Sequence, residues 1–421
     1  MIGVGAKGPI AGAAVGRDRP ALDPAIPAQS PHDGWRAVDL SALDPATETP
    51  YWIALSLIPG VGPVGFTRLL RRYGSGRAAW ACGVSLLEEL PRLPDDAAPA
   101  MQRLLREGVA AVSERVRRAT NRAGGVVITA LDHRYPAALA AADPRPPVLF
   151  VAGDPGSMDA PCVAIVGTRR ATGYGRACAA EIADELARAG VTVVSGLAIG
   201  IDGQAHLAAV SAGGRSVAVL PSPLDRVYPP RHRDLAARLV ATGGALVSEL
   251  APAQAHGKPD FARRNRIIAG LARAVVVVEA PDRSGALLTV AAAIDYGREV
   301  FAVPGPIDAV ASRGCNRLIA DHQASIVTSA AALLHRVGAT PGGRPVSVTS
   351  LSDTEALVLH ALLLRPGSIE ELIARTKLAT GPLASTLTLL EARGLVESYG
   401  GATFHATLTA RRIGRSDGPA S

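Results

Sequence analysis

Aromatic residues make up only 4 % of this 421-residue chain. A polyanion bound here must therefore be gripped mostly by charge and backbone N–H groups, with stacking secondary. Cysteine is equally scarce: Cys82, Cys162, Cys178 and Cys315 stand far apart and form no CxxC or Cys/His cluster. That argues against a disulfide framework and against a zinc site, and fits a reducing, cytoplasmic compartment. No stretch approaches about 18 uninterrupted apolar residues, and the N-terminus lacks the apolar core of a signal peptide, so no membrane span is expected. What is present sets the other bounds. At 48 % hydrophobic the chain is not disordered throughout. Its length suggests two to three domains with at least one large core. Lysine plus arginine total 44 against 37 acidic residues, a net charge of +7. This balance permits a nucleic-acid partner without specifying one.

Residues 1–45 are rich in Gly, Ala and Pro, carry no helical or strand period, and read as a disordered leader. A helical segment spans 49–122. Apolar residues at helical spacing run through Trp52, Ile53, Leu55 and Leu57 and again through Phe66, Leu69 and Leu70, around a Pro59-Gly60-Val61-Gly62-Pro63 turn. A further helix is expected near Met101–Asn121. From 123 to 336 the rhythm changes. Short apolar runs at Val163–Val166, Val191–Val194, Ser216–Leu220, Ala245–Val247, Ala274–Val278 and Val300–Val303 alternate with Ala-rich helical stretches. Continuous apolar strands separated by helices imply parallel strands buried on both faces, a doubly wound α/β sheet. A Gly/Pro-rich linker (337–350) leads to three helices, Asp353–Leu364, Ser368–Arg375 and Gly381–Ala392, and a hairpin around Gly400-Gly401. That is a winged-helix pattern over 351–408, and 409–421 reads as a disordered tail.

In open α/β sheets, ligands bind outside the carboxyl ends of the strands, so the turns there carry the candidate chemistry. After the first of the six runs comes Gly167-Thr168-Arg169-Arg170-Ala171-Thr172-Gly173-Tyr174-Gly175. Its glycines allow close backbone approach to an anion, and its arginines add formal charge. The spacing is neither GxGxxG nor GxxxxGK[ST], so dinucleotide and Walker-type sites are not indicated and no cofactor is implied. An ordinary strand–helix turn with solvated arginines remains open. The next turn, Ser195-Gly196-Leu197-Ala198-Ile199-Gly200-Ile201-Asp202, again suits a phosphate or sugar edge, while Asp202 and His206 read better as a cap and a helix-face residue. Neither pairs with a nucleophile, so a catalytic triad is not supported. The segment Lys258–Leu271 sets Lys258, Arg263, Arg264 and Arg266 at a helix start, opposing the dipole preference for anions there. A bound phosphate would supply the missing negative charge. Glu249 and Glu279 stand at strand ends, either as acid/base groups of a hydrolase or as partners of the arginines.

These residues resemble the DNA-processing protein A (DprA/Smf) family. The motifs are Val163-Ala164-Ile165-Val166-Gly167-Thr168-Arg169 with Thr172 and Gly175, then Ser195-Gly196-Leu197-Ala198-x-Gly200-Ile201-Asp202 with Ala205-His206. They continue through Asp225-x-x-Tyr228-Pro229, Ser248-Glu249, Phe261-x-x-Arg264-Asn265-Arg266-Ile267-Ile268-Ala269-Gly270-Leu271 and Val278-Glu279-Ala280. Ser284-Gly285 with Thr289, and Gly297-Arg298-x-Val300-Phe301-Ala302-Val303-Pro304-Gly305, complete the ordered string over about 160–330. The resemblance implies a Rossmann-like core that binds single-stranded DNA, protects incoming strands in natural transformation and helps load the recombinase RecA, with no catalytic residue. It implies a DNA site at Gly167, Thr168, Arg169, Phe261, Arg264, Asn265 and Arg266, with Lys258, Ser195 and Gly196 beside them. It further implies a helix–hairpin–helix or SAM-like N-terminal module at Ile58–Pro63, a C-terminal winged helix and a homodimer. Three positions depart from the family pattern: Ala262 replaces proline, Pro223 a glycine, and Asp321-His322-Gln323-Ala324 a Gly-Ala. The expected recognition helix, Gly381–Ala392, holds no basic residue, which argues against reading a duplex.

Two expectations can therefore be set against each other. As a binding protein, with about four phosphates neutralised, the log of affinity should fall with log salt at a slope of roughly −3. As a phosphoribohydrolase-type enzyme, it should use Glu249 or Glu279 on a nucleotide, although no Gly-Gly-x-Gly-Thr-x-x-Glu-like signature is present.

Overall fold

The computed structural model describes Trp35 and residues 38–339, 351–392, 395–399 and 403–406. Five helices come first: α1 (Pro45–Ser56), α2 (Pro63–Tyr73), α3 (Gly76–Ala81), α4 (Ala97–Glu107) and α5 (Val109–Arg122). Asp44 caps α1 by accepting from the Ala46 and Thr47 N–H groups, and Pro45 occupies a first-turn position that needs no donor. The single helix expected near 101–121 is two. Gly108 sits at φ +83, ψ 142, and divides α4 from α5. Trp35 corrects the leader as well: it is 3 % exposed and packs against Trp52 and Phe66, with ring centroids 5.8 and 6.1 Å away. Burying a tryptophan removes a large apolar area from water, so folded structure begins before residue 45. Residues 1–34 lie outside the described residues.

The sheet region opens with β1 (Gly125–Thr129), α6 (Ala137–Ala140), β2 (Val148–Gly153), β3 (Cys162–Val166), α7 (Gly173–Arg188) and β4 (Thr192–Ser195). It continues with α8 (Ile201–Ser211), β5 (Ser216–Val219), α9 (Arg233–Ala241), β6 (Ala245–Ser248), α10 (Lys258–Leu271) and β7 (Ala274–Val277). It closes with α11 (Ala286–Asp295), β8 (Glu299–Ala302), α12 (Arg313–Ala320), β9 (Ser325–Ile326) and α13 (Ala330–Arg336). The strands form one sheet in the order β1-β2-β6-β5-β4-β3-β7-β8-β9. β2 pairs antiparallel with both β1 and β6, and the remaining pairs are parallel. All six apolar runs become strands of this mostly parallel sheet. The helical segment does not pack apart from it: Trp52, Phe66 and Met101 share one apolar cluster with Val127, Val148 and Phe150. The Ile58–Pro63 turn faces Pro147 and Val148 across a cavity of about 90 Å³.

From β3 the chain builds β4, β5 and β6 to one side and β7, β8 and β9 to the other. The switch lies between β3 and β7, where the turns diverge and leave a crevice at the strands' carboxyl ends. His322, in one of the segments departing from the family pattern, sits at φ +56, a conformation glycine would take without strain.

The C-terminal segment comprises α14 (Asp353–Leu364), β10 (Gly367–Ser368), α15 (Ile369–Thr376), α16 (Thr380–Ala392), β11 (Val396–Tyr399) and β12 (Thr403–Ala406). Capping boxes at Ser352/Glu355 and Ser368/Glu371 start α14 and α15. Val358, Leu362, Leu372, Leu383, Leu387 and Leu390 fill its core. The linker residues 340–350 and the tail 409–421 lie outside the described residues. Among the described residues, no helix is long and apolar enough to cross a membrane.

Candidate nucleic-acid interface

The turn after β3 is held from beneath. The Thr168 N–H donates to the Glu279 carbonyl (2.7 Å), while the Glu279 carboxylate accepts from the Thr172 N–H (2.9 Å) and from Thr172 Oγ1 (2.5 Å). Space for this comes from glycine: a Cβ on Gly175 would stand 2.2 Å from Glu279 Oε2, and one on Gly167 would stand 2.6 Å from Ile201 Cγ1. Glu279 is 2 % exposed, so it pins the turn and leaves Arg169 and Arg170 exposed at its tip. The Glu279 carboxylate that a hydrolase would need in the open is committed to the Thr172 N–H and hydroxyl instead.

The turn after β4 interlocks with it. Gly200, at φ +90, lies against the other turn so closely that a Cβ would stand 2.4 Å from the Thr168 carbonyl oxygen. Leu197 takes φ +56, a position an L-residue keeps only when its surroundings hold it. Two histidines do so. The Leu197 N–H donates to His206 Nε2 (3.3 Å), and the Leu197 carbonyl accepts from His232 Nδ1 (2.8 Å). His206 Nδ1 lies 2.8 Å from Ser216 Oγ, which itself donates to the Val193 carbonyl (2.8 Å). The proton therefore sits on Nδ1, and Nε2 is the acceptor. Burial, with the charges of His232 and Arg264 adding, pushes His206 down to about 3 and keeps it neutral. This is a satisfied core histidine, as the sequence favours. Ser195 is fully buried with its hydroxyl donating to the Ile165 carbonyl (2.6 Å), so it cannot touch a ligand and is corrected from contact to scaffold.

The basic segment of α10 divides in the same way. Asp260 Oδ2 accepts from the Gly257 N–H (2.8 Å), so the helix carries its own anion at its start and needs no phosphate there. Arg264 is 6 % exposed and donates to the carbonyls of Gly196 and Val219, while its Nε donates to Asn265 Oδ1 (3.2 Å). Burial lowers the Arg264 guanidinium to about 10, with the charge of Asp202 opposing the shift. Burial likewise raises the Asp202 carboxyl, with Arg264 the largest opposing influence. Asn265 Nδ2 donates to the Gly285 carbonyl (3.2 Å), tying α10 to the turn before α11. Arg266 points elsewhere: it ion-pairs with Glu249 and donates to the Pro144 carbonyl (3.1 Å). It too is corrected from contact to scaffold, because its charge is already satisfied. Lys258, exposed in the first turn of α10, lines neither cavity described next.

The two predicted basic segments do converge. The Arg169 guanidinium lies over the Phe261 ring, 5.1 Å from its centroid, and Phe261 meets Tyr228 edge-on at 5.4 Å. On one side of this pair is a pocket of about 30 Å³ bounded by Ile199, Pro221 and Tyr228. On the other, a cleft of about 380 Å³ crosses the β3/β7 crevice between Gly167–Arg170, α10 and the Pro281–Ala286 turn. Arg169, Arg170 and Arg283 line this cleft and have no ion-pair partner among the described residues. Among the described residues, buried Asp202 is the one acidic side chain on its lining. Tyr174, the other expected stacker, lines neither cavity; its hydroxyl donates to the Pro304 carbonyl (2.7 Å). Tyr228, Arg283 and Ser284 were not among the expected contacts. Their signal was positional: each follows a strand of the same sheet edge.

Fold and site together define an α/β protein with a Rossmann-like sheet and a basic cleft at its topological switch. Comparison with known proteins names the family. A model described as DNA recombination-mediator protein A matches residues 126–338, and one described as the DprA winged helix domain matches 343–402. Protein Smf of Synechocystis sp. is 31 % identical over 84 % of this chain and 98 % of its own length. DNA processing protein DprA of Streptococcus pneumoniae is 40 % identical over 47 % of this chain and 70 % of its own. The X-ray structure of DprA from that organism superimposes with a TM-score of 0.57, at 32 % identity, covering 68 % of this chain and 95 % of the other. The chain belongs to the DprA/Smf family of DNA-processing recombination mediators.

Proposed function

We propose that this chain binds single-stranded DNA through its backbone at the β3/β7 crevice, shields it, and passes it to RecA in transformation and recombination. The observation that carries the reading is the charge left over after scaffolding. Arg264 and Arg266 are consumed inside the fold, whereas Arg169, Arg170 and Arg283 line the cleft with no ion pair among the described residues. Phosphates on these three would satisfy the charge, and the Phe261–Tyr228 edge offers one place for a base. Phosphate contacts carry no sequence information, so sequence preference should be slight. Membership of the family supports the recombination role and RecA as the partner. The exposed side chains of Ile307 and Val310, on the loop leading into α12, offer apolar surface for a second copy in the expected homodimer.

Fluorescence anisotropy with labelled oligothymidylate, titrated in salt, tests the site. Three neutralised phosphates give a log–log slope of about −2, from roughly 0.7 per phosphate on single strands. Arg169→Ala should weaken binding severalfold and flatten that slope by about 0.7. Wild-type affinity in Arg169→Ala, or equal affinity for duplex of the same length, would sink the assignment. RecA filament formation on strands already coated with a single-strand-binding protein, with and without the full chain, tests the handover.

A further inference from the structure

We infer that the C-terminal winged-helix segment pairs with the same segment of a second copy, α14 lying antiparallel against α14 about a two-fold axis at His360. The helix is apolar on every side: from Ala356 to Leu364 it contains no Asp, Glu, Lys or Arg. A helix of that kind is expected to be covered all round. Its own segment covers one half, where Val358, Leu359, Ala361 and Leu362 are buried in the core. The other half is open. Leu357, His360 and Leu364, spaced three and four apart, share one face and are exposed, the two leucines at 44 % and 74 %. The solvent face of α5 shows the contrast, since it carries Glu114, Arg115, Arg117, Arg118 and Arg122. An exposed apolar face without charge has the composition of an interface core.

The face itself selects its occupant. His360 lies between Leu357 and Leu364, so an antiparallel copy sets each Leu357 against the partner's Leu364 and brings the two His360 rings together at the axis. Charge agrees with that direction. Asp353, exposed and without an ion-pair partner among the described residues, flanks the apolar run at one end, and Arg365 flanks it at the other. Arg365 is held only loosely, 3.6 Å from Glu371 with both side chains exposed. An antiparallel copy brings Asp353 toward the partner's Arg365 at both ends and opposes the helix dipoles, whereas a parallel copy sets like charges side by side. The pairing also gives the winged helix a role that α16, without a basic residue, does not offer on a duplex. A 12-residue helix pair buries less than the roughly 1,200 Å² of a stable interface, so the contact is weak alone. It gains from the homodimer proposed above: two cores already joined raise the effective concentration of their C-terminal segments toward mM. It is a second contact, apart from Ile307 and Val310, and it does not depend on DNA in the crevice.

Oxidative cross-linking of the full chain tests the pairing. Facing positions on packed helices, with axes about 8–10 Å apart, come within disulfide reach at the two-fold axis. His360→Cys should give roughly tenfold more disulfide-linked dimer than Glu370→Cys, an exposed control on α15, with the 360–360 link identified by peptide mass. Both positions are exposed, so both variants should melt with the wild type. In the His360→Cys background, Leu357→Lys with Leu364→Lys should abolish the link by setting like charges against each other. Leu357→Lys with Leu364→Glu should restore part of it, because opposite charges then meet across the antiparallel pair. A link from position 360 to Cys82 or Cys178 of the same chain would mean that the face packs on its own core, and would overturn the pairing. Sedimentation separates this result from the homodimer. A dimer that gives no 360–360 link leaves the homodimer standing and removes the helix contact, and a monomer without the link removes both.

Discussion

Arg264→Met is expected to destabilise the protein by about 2–6 kcal/mol, because two buried carbonyl acceptors lose their donor and the buried Asp202 carboxyl loses a nearby positive charge. Methionine restores most of the volume, so the effect isolates the polar groups rather than a cavity. The carbonyls of Gly196, in the turn after β4, and of Val219, at the end of β5, would lose this donor, at about 1–3 kcal/mol for each buried acceptor left unsatisfied. Asp202 would keep its bond from the Gly196 N–H (3.1 Å) but lose the positive charge that offsets its burial. Contact with the guanidinium also shapes the turn, since a Cβ on Gly196 would stand 2.5 Å from Arg264 Nη1. Urea denaturation reads the result as a lower midpoint at unchanged m-value. A wild-type midpoint combined with lost DNA affinity would make Arg264 a ligand contact and overturn its scaffold role.

That scaffold role was not legible in the sequence, and the reason is physical. Counting charge in Lys258–Arg266 gives four cations, but whether each is free depends on partners that arrive from elsewhere in the chain. Val219 lies 45 residues from Arg264, and Pro144 lies 122 from Arg266. Asp282 and Arg283 show the same dependence: they are adjacent in sequence, yet Asp282 pairs with Arg317, 35 residues on. The sheet was easier to read. Strands buried on both faces need apolar, β-branched runs, and each of the six runs is a strand. β1 and β2, which extend the edge antiparallel, escaped because no βαβ rhythm surrounds them. The convergence of Arg169 and Phe261 was legible because the strand-end rule puts both segments on one edge.

Acidification from pH 7 to pH 4 is expected to remove about 3 kcal/mol of stability through His206 alone, at 1.36 kcal/mol per unit of pKa difference. An unfolded histidine titrates near 6.5, whereas buried His206 is pushed down to about 3. Between these values the unfolded chain binds one more proton than the native state. Stability is therefore full above pH 6.5 and falls as pH drops through the window. Asp202 works against this. Its raised carboxyl takes up a proton in the native state first, so acid relieves part of the cost of its burial. The structural consequence follows from the ring. Protonated Nε2 cannot accept from Leu197 N–H, so the left-handed turn loses one of its two histidine supports, and with it the placing of the Gly196 carbonyl on Arg264. Single-strand affinity should then fail in the same pH range as stability. His206→Gln supplies an acceptor and a donor without titrating. It should be less stable at pH 7 but lose less between pH 7 and pH 4 than the wild type. An unaltered acid slope in His206→Gln would move the acid sensitivity to other groups and remove His206 from this account.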